Sequence, residues 1–261
     1  MKSQLSIVEK RAISSKKLQN RLNLNNRLGS KDLTKWLFVR YKIKKKYEIL
    51  ELVCGIGNHV IKESKIIGNK GFILATDYSN KSLNLLEKKS KSKNIKIKCI
   101  SMDDIPAYLK LKKIKFDKII SSYALYYAKN PIKVINECLN FLEKNGEFLI
   151  TAPCYPHTLT EFASKEKTLL KIAKKYIDFA SKKLEPYLKK KRFIKKIYNF
   201  RNLLKFKNLD DLLNFYRSTV FYNKKSEISL KKSFLKSKKN NGYFNIIKSA
   251  KLYKFSINRN R

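Results

Sequence analysis

The stretch from Tyr47 to Asn58, YEILELVCGIGN, constrains the chain more than any other. Residues 49–54 are an apolar run broken only by Glu51. A run this short, bounded by turn residues, reads as a buried strand. Gly55-Ile56-Gly57 ends it. Two glycines one residue apart permit positive φ and let a ligand come close to the backbone. Asn58 is placed to cap a helix whose apolar residues Val60, Ile61, Ile66 and Ile67 recur at roughly helical spacing, and Gly68 stands where a C′ glycine would end it. A strand, a glycine turn and a helix make the repeating unit of open α/β sheets, in which ligands bind at the carboxyl ends of the strands.

Strands and helices then alternate. Residues 72–76 with Asp77 read as a second strand, and Ser79 can cap a helix over 81–91. Residues 95–100 alternate apolar and Lys, as a less buried strand does. Met102-Asp103-Asp104-Ile105-Pro106 reads as a polar loop, 116–121 as a fourth strand and 122–129 as a Tyr-rich loop. Pro131 opens a helix over 132–142, and Asn145-Gly146 turns into a fifth strand, EFLITA. This order predicts a doubly wound, mostly parallel sheet.

Two short helices are expected before this core, separated by Gly29-Ser30, with Ser30 capping the second and Trp36, the single tryptophan, packing it on the sheet. After it, CYPHTLTEF reads as a loop between prolines, and 162–192 as very basic helices. In these, Tyr176, Phe179, Leu184 and Tyr187 form a stripe that suits the buried side of a lid. Residues 194–206 read as a sixth strand, 209–216 and 228–236 as helices, and 243–257 as a last strand or hairpin. The expected organisation is a helical arm over 1–46, a cofactor-binding core over 47–153, a basic helical lid over 154–193, and closing strands and helices over 194–261.

The formal net charge is +41, with 61 Lys and Arg against 20 Asp and Glu. A polyanion partner would explain it, and so would lysine enrichment spread over a solvated surface. Either way, non-specific nucleic-acid binding at low salt is expected. Cys54, Cys99, Cys138 and Cys154 are far apart and form no CxxC pair. They read as reduced thiols in a cytoplasmic protein, with no metal site. No run approaches the roughly 18 apolar residues of a membrane span.

The loops at the strand ends carry the chemistry. Asp77 follows Gly57 by about 20 residues, the spacing of a carboxylate that accepts ribose hydroxyls. Met102 and Asp103 pair an apolar group with an acceptor, as an adenine requires, and Ser121 ends strand four beside Tyr123, Tyr126 and Tyr127. A dinucleotide site would need a third glycine where Val60 stands, which argues against NAD. No nucleophile–base pair stands out. His157 and Tyr126 are the only candidates for acid–base work, and His59, just past the glycines, reads as solvated or capping.

ILELVCGIGN, ATDYS, SMDDIP and FDKIISSYALYYAKNPIKVINECLNFLEKNGEFLIT resemble successive motifs of the class I S-adenosylmethionine-dependent methyltransferases. The resemblance is densest over 47–153 and nearest to the small-molecule branch of type 11/25. It continues more faintly in SKDLTKWLF, in LDDLLNFYRSTVFY and in the last strand. It implies a seven-stranded sheet with an antiparallel last strand and S-adenosyl-L-methionine as cofactor. Glu51, Gly55 and Gly57 would hold the methionine end, Asp77 the ribose, Tyr78 would lie beside the adenine, Met102 and Asp103 would frame it, and Ser121 would line the sulfonium end. One departure stands out: Val53 occupies the place of the first motif glycine, where a β-branched side chain narrows the space for the cofactor's carboxypropyl arm and restricts the backbone. The resemblance implies methyl transfer to a small molecule. An RNA methyltransferase using the basic lid, or a nucleic-acid-binding or scaffold protein that has lost the cofactor, stays open beside it.

Overall fold

The computed structural model describes residues 14–159, 167–191 and 193–256. In chain order the elements are α1 Ser15–Leu28, α2 Leu33–Tyr41, β1 Glu48–Leu52, α3 Asn58–Ile67, β2 Phe72–Asp77, α4 Asn80–Lys89, β3 Ile95–Cys99, α5 Ile105–Lys110, β4 Phe116–Ser122 and α6 Pro131–Leu139. There follow β5 Leu142–His157, α7 Lys167–Asp178, a π-helical turn Phe179–Leu184, α8 Glu185–Lys190, β6 Ile194–Phe206, α9 Leu209–Ser218, α10 Glu227–Asn241 and β7 Phe244–Ser256.

All seven strands share one sheet, ordered β3-β2-β1-β4-β5-β7-β6. The pairs among β1 to β5 are parallel. β7 is antiparallel: along it, Phe255 meets Phe148 while Ile247 accepts from the Thr158 amide, so the numbering of the two strands runs in opposite senses. The doubly wound, mostly parallel sheet read from the sequence is the fold observed.

Burial follows position in the sheet. β1 is central, and every residue after Glu48 is buried, as expected of a strand covered on both faces. β3 lies at one edge and alternates, with Lys96 and Lys98 exposed; edge lysines discourage pairing with another chain. β6, at the other edge, also carries exposed cations, Lys196 and Arg201. Among the described residues no helix is long and apolar enough to cross a membrane.

The chain divides into two compact units. One holds Thr34–Ala152, Phe179–Asn199 and the described part of Lys251–Arg261. Its core includes Ile49, Leu50, Ile73, Leu74, Ile119 and Phe148. The other holds the described parts of Met1–Leu33 and Pro153–Asp178 together with Phe200–Ala250, around Leu24, Leu204, Phe206, Leu212, Phe215 and Phe234.

Several local expectations need correction. β5 does not stop at Ala152 but runs through Pro153 and Pro156 to His157. Its pairing with β4 ends at Thr151, so the prolines fall where no β4 ladder needs their amides. Asn145-Gly146 is not a turn before the strand; it lies within an irregularity of β5 that opens between the pairs Phe116–Leu142 and Lys118–Glu147. Ile105-Pro106 begins α5 behind Asp104 and is not loop. Ser30 does not cap α2. Its hydroxyl bonds the Asn202 side chain and accepts from the Leu203 amide. Trp36 is only half-buried beneath the Arg40 guanidinium, 4.1 Å from its ring centre, and Leu37 and Tyr41 are the buried anchors of α2. In the basic helices Tyr176, Phe179 and Leu184 are buried and Tyr187 is half-buried. Residues 160–166 of the expected loop and helix lie outside the described residues.

Candidate cofactor site

The strand order places β1 between β2 and β4, and the chain leaves β1 toward β2 but later returns to β4 on its other side. That is the switch point at which α/β sheets open a crevice. Register aligns the strand ends there: Leu52 lies opposite Thr76, Asp77 opposite Cys99, and Glu51 opposite Ile120.

The turn after β1 is held in an unusual backbone. Val53, Gly55 and Gly57 all have positive φ, at 62°, 57° and 76°. Glycine tolerates this region, whereas a β-branched residue is strained there. Val53 therefore keeps the backbone hand that a glycine would take. Gly57, not Asn58, is the N-cap of α3. A Cβ on Gly57 would lie 2.2 Å from Leu86 Cδ1, so α4 also requires the glycine.

Neighbouring strands brace this turn. Cys54 donates its amide to Thr76 O at 2.7 Å, and Thr76 Oγ1 donates to Glu51 O at 2.8 Å. The Asp77 carboxylate accepts from the Gly55 amide at 2.8 Å and from the Ser79 amide at 2.7 Å. Burial pushes the Asp77 carboxyl above its ordinary range, and these backbone donors pull against that shift. The predicted Ser79 cap is present, accepting from Ser82 N.

The other expected residues are placed as follows. Tyr78 is 57% exposed beside Asp77. Met102 is buried. The Asp103 carboxylate accepts from the Lys129 amide at 3.1 and 3.3 Å, tying the loop after β3 to the loop after β4. Ser121 is fully buried in β4 and its Oγ has no hydrogen-bond partner. Glu51 is buried in β1, and its Oε1 also lacks one.

The acid–base candidates differ from these. Tyr126 is buried in a short 3₁₀ turn, its ring 4.7 Å from Tyr127 and 6.1 Å from Phe179. His157 is the buried last residue of β5, with its ring 5.6 Å from Phe221. Burial and then the Lys248 charge lower its pKa to about 3, so its imidazole is neutral near pH 7. His59 is half-buried and is not the cap: it sits against the rings of Phe38 and Tyr41, and burial, with Lys62, lowers its pKa to about 4.

Two further residues belong to this neighbourhood and escaped the sequence reading. Glu63 of α3 and Tyr41 of α2 are completely buried. Glu63 interacts with Glu51, and the Tyr41 hydroxyl feels both carboxyls and lies toward Thr151 and Ser122. The available signal was spacing: Val60, Glu63, Ser64 and Ile67 make one helical face, so Glu63 lies on the apolar stripe.

A sequence profile of the family described as methyltransferase domain matches residues 43–202, more than half of the chain. The chain belongs to this methyltransferase-domain family. It is 30% identical over 118 residues to the ubiquinone/menaquinone biosynthesis C-methyltransferase UbiE of Wigglesworthia glossinidia brevipalpis, a match covering 45% of this chain and 46% of that protein. The chain spans about half the length of the curated relatives it matches. The crystal structure of the YcgJ protein from Bacillus subtilis superposes with a TM-score of 0.59 at 11% identity, covering 85% of this chain and 97% of that one. The plantazolicin methyltransferase BpumL, solved with SAH, superposes with a TM-score of 0.55 at 14% identity, covering 96% and 94% of the two chains. At these identities the shared feature is the fold.

For a methyltransferase domain the residues at the switch point fit S-adenosylmethionine. Asp77 has acceptor capacity beyond its two backbone bonds, Met102 offers a buried apolar group, and Glu51 and Ser121 hold buried oxygens without partners.

Proposed function

We propose that this chain is an S-adenosyl-L-methionine-dependent methyltransferase acting on a small-molecule acceptor through an O, N or C atom. The observation that carries the reading is the braced turn at the switch point. Asp77 closes it through Gly55, and buried acceptors line the strand ends beside it. The four free thiols fit the reducing interior of a cell, and we read the protein as cytoplasmic.

In this reading Glu51, Gly55 and Gly57 hold the methionine end, Asp77 the ribose, Tyr78, Met102 and Asp103 the adenine, and Ser121 the sulfonium end. The bound cofactor supplies an electrophilic methyl group on sulfur. The protein's part is positioning of donor and acceptor and exclusion of water, which asks for no nucleophile or metal from the chain. His157, neutral and buried, and Tyr126, packed among rings, are proton-handling candidates of secondary weight.

Two other readings have less support. A cofactor-dead protein would have no need of the turn, yet Val53 keeps the left-handed backbone that the turn requires. An RNA methyltransferase would stack bases on exposed aromatics, whereas Tyr176 and Phe179 in the basic helices are buried. Non-specific nucleic-acid binding remains our expectation from bulk charge.

Calorimetric titration of nucleic-acid-free protein with S-adenosylmethionine and S-adenosylhomocysteine tests the proposal. Binding that Asp77→Ala abolishes supports it and justifies an acceptor screen. No binding at millimolar ligand, in wild type and in Val53→Gly alike, refutes it.

A further inference from the structure

Glu51 and Glu63 face each other inside the first unit, 2% and 0% exposed. Both Glu63 carboxyl oxygens, Glu51 Oε1 and the hydroxyls of Tyr41 and Thr151 are buried and have no hydrogen-bond partner beyond one another. The groups that set the titration of the two carboxyls are burial and each other; no Lys, Arg or His is among them. The remaining titratable neighbours are Tyr41 from α2 and Cys54 from the turn, and both feel the carboxyls' negative charge. In a chain of net charge +41, two acids have been placed together with no cation of the described residues among the groups that shift them.

Buried carboxyls without a partner are costly. Two together cannot both ionise at neutral pH, so the pair retains a proton. What the nest offers is an excess of acceptors: two carboxyls and two hydroxyls, converging from α2, β1, α3 and β5. A spherical metal ion is a poor match, since no group of three His, Cys, Asp or Glu able to hold one exists among the described residues. A primary ammonium, with three donors and one charge, matches the pattern.

Resting on the S-adenosylmethionine reading, we propose that Glu63 is a second cofactor-binding carboxylate. With Glu51 and Tyr41 it encloses the ammonium of the cofactor's amino-acid end and releases the shared carboxyl proton to solvent when that ammonium enters. The O–H bond of one carboxyl breaks, the proton leaves to buffer, and the freed carboxylate accepts an N–H of the incoming group. Burial pushes Glu63 up to about 7, so release falls within the accessible range.

The test is titration of the protein with S-adenosylhomocysteine between pH 6 and 8, in buffers of different ionisation enthalpy, which counts protons released on binding. Wild type should release close to one proton at pH 6 and progressively less toward pH 8, and bind more tightly as pH rises through 7. Glu63→Gln should release fewer protons, bind roughly tenfold or more weakly and show a weaker pH dependence. Tyr41→Phe should weaken binding and keep the release. S-adenosylhomocysteine lacking its α-amino group should bind wild type without releasing a proton, and this arm stands even if a variant fails to fold. Equal proton release by wild type and Glu63→Gln, or release by the deaminated ligand, would overturn the proposal while leaving the cofactor reading intact. Stabilisation of the free protein by potassium over choline chloride, abolished in Glu63→Gln, would assign the nest to an alkali ion and overturn it as well. Wild type that binds no S-adenosylhomocysteine at all would remove the cofactor reading itself.

Discussion

Asp77 accepts the Gly55 amide at 2.8 Å. The end of β2 therefore holds the turn after β1 in place before any ligand arrives. The same carboxylate takes the Ser79 amide at the start of α4, so one side chain fixes two loops at the switch point. About two of its roughly four lone-pair positions remain for a ribose.

Asp77→Ala leaves both amides without their acceptor. Stability should fall by about 2 kcal/mol in urea unfolding, since two charge-assisted bonds are lost from a buried site. S-adenosylhomocysteine affinity should fall with it. Full stability in this variant would show that the turn holds its shape without Asp77.

Val53→Gly should raise stability by about 1 kcal/mol. The left-handed conformation costs a branched residue about 1–2 kcal/mol or more, and glycine gives back part of that gain in chain entropy. Val53 is half-buried at φ 62°, so little packing is lost. Thermal unfolding measures the difference, and a lower Tm would mean that the valine side chain outweighs its backbone strain.

Gly57→Ala is expected to do the opposite. Its φ of 76° is unfavourable for alanine, and its Cβ would meet Leu86 Cδ1 at 2.2 Å. A loss of about 2–3 kcal/mol should appear in urea unfolding. A loss below about 0.5 kcal/mol would show that α4 yields easily there.

The carboxyl of Glu63 makes stability depend on pH. Its folded pKa is raised from 4.5 to about 7 by burial. The folded state thus holds this proton more tightly than the unfolded chain does. That stabilising contribution is complete below the unfolded value and is lost as pH rises through 7. Relative to Glu63→Gln, wild type should lose on the order of 3 kcal/mol between pH 4.5 and 8. Parallel urea-unfolding profiles for the two proteins would refute an interaction of this size.

The parts of the fold visible in the sequence were those governed by period and spacing. The buried run before Gly55, the alternating Lys of β3, the Ser79 cap and Pro131 at the head of α6 each follow from a local rule, and each is present. Features set by distant partners were not legible. Pro153 and Pro156 suggested a loop because nothing local says that β4 stops pairing at Thr151. Ser30 looked like a cap because its partners, Asn202 and Leu203, lie far along the chain. The bond from the Lys129 amide to Asp103 depends on how two loops meet, which no local rule states. Glu63 was passed over because charge on a helix ordinarily faces water. Only its place between Val60 and Ile67 marked it as buried.

The interior placement of acids has a consequence for the molecule as a whole. Glu51, Glu63 and Asp77 are buried, and Glu147, Asp211, Glu185 and Glu227 are engaged by nearby cations. That leaves 13 of the chain's 20 carboxylates against 61 cations. Like charges on the exterior repel one another, and this self-repulsion opposes both compactness and the approach of a second copy. Dissolved salt screens that repulsion over a distance of about 10 Å at 0.1 M. Moderate ionic strength therefore tightens this fold, where in a protein resting on surface ion pairs it would loosen it.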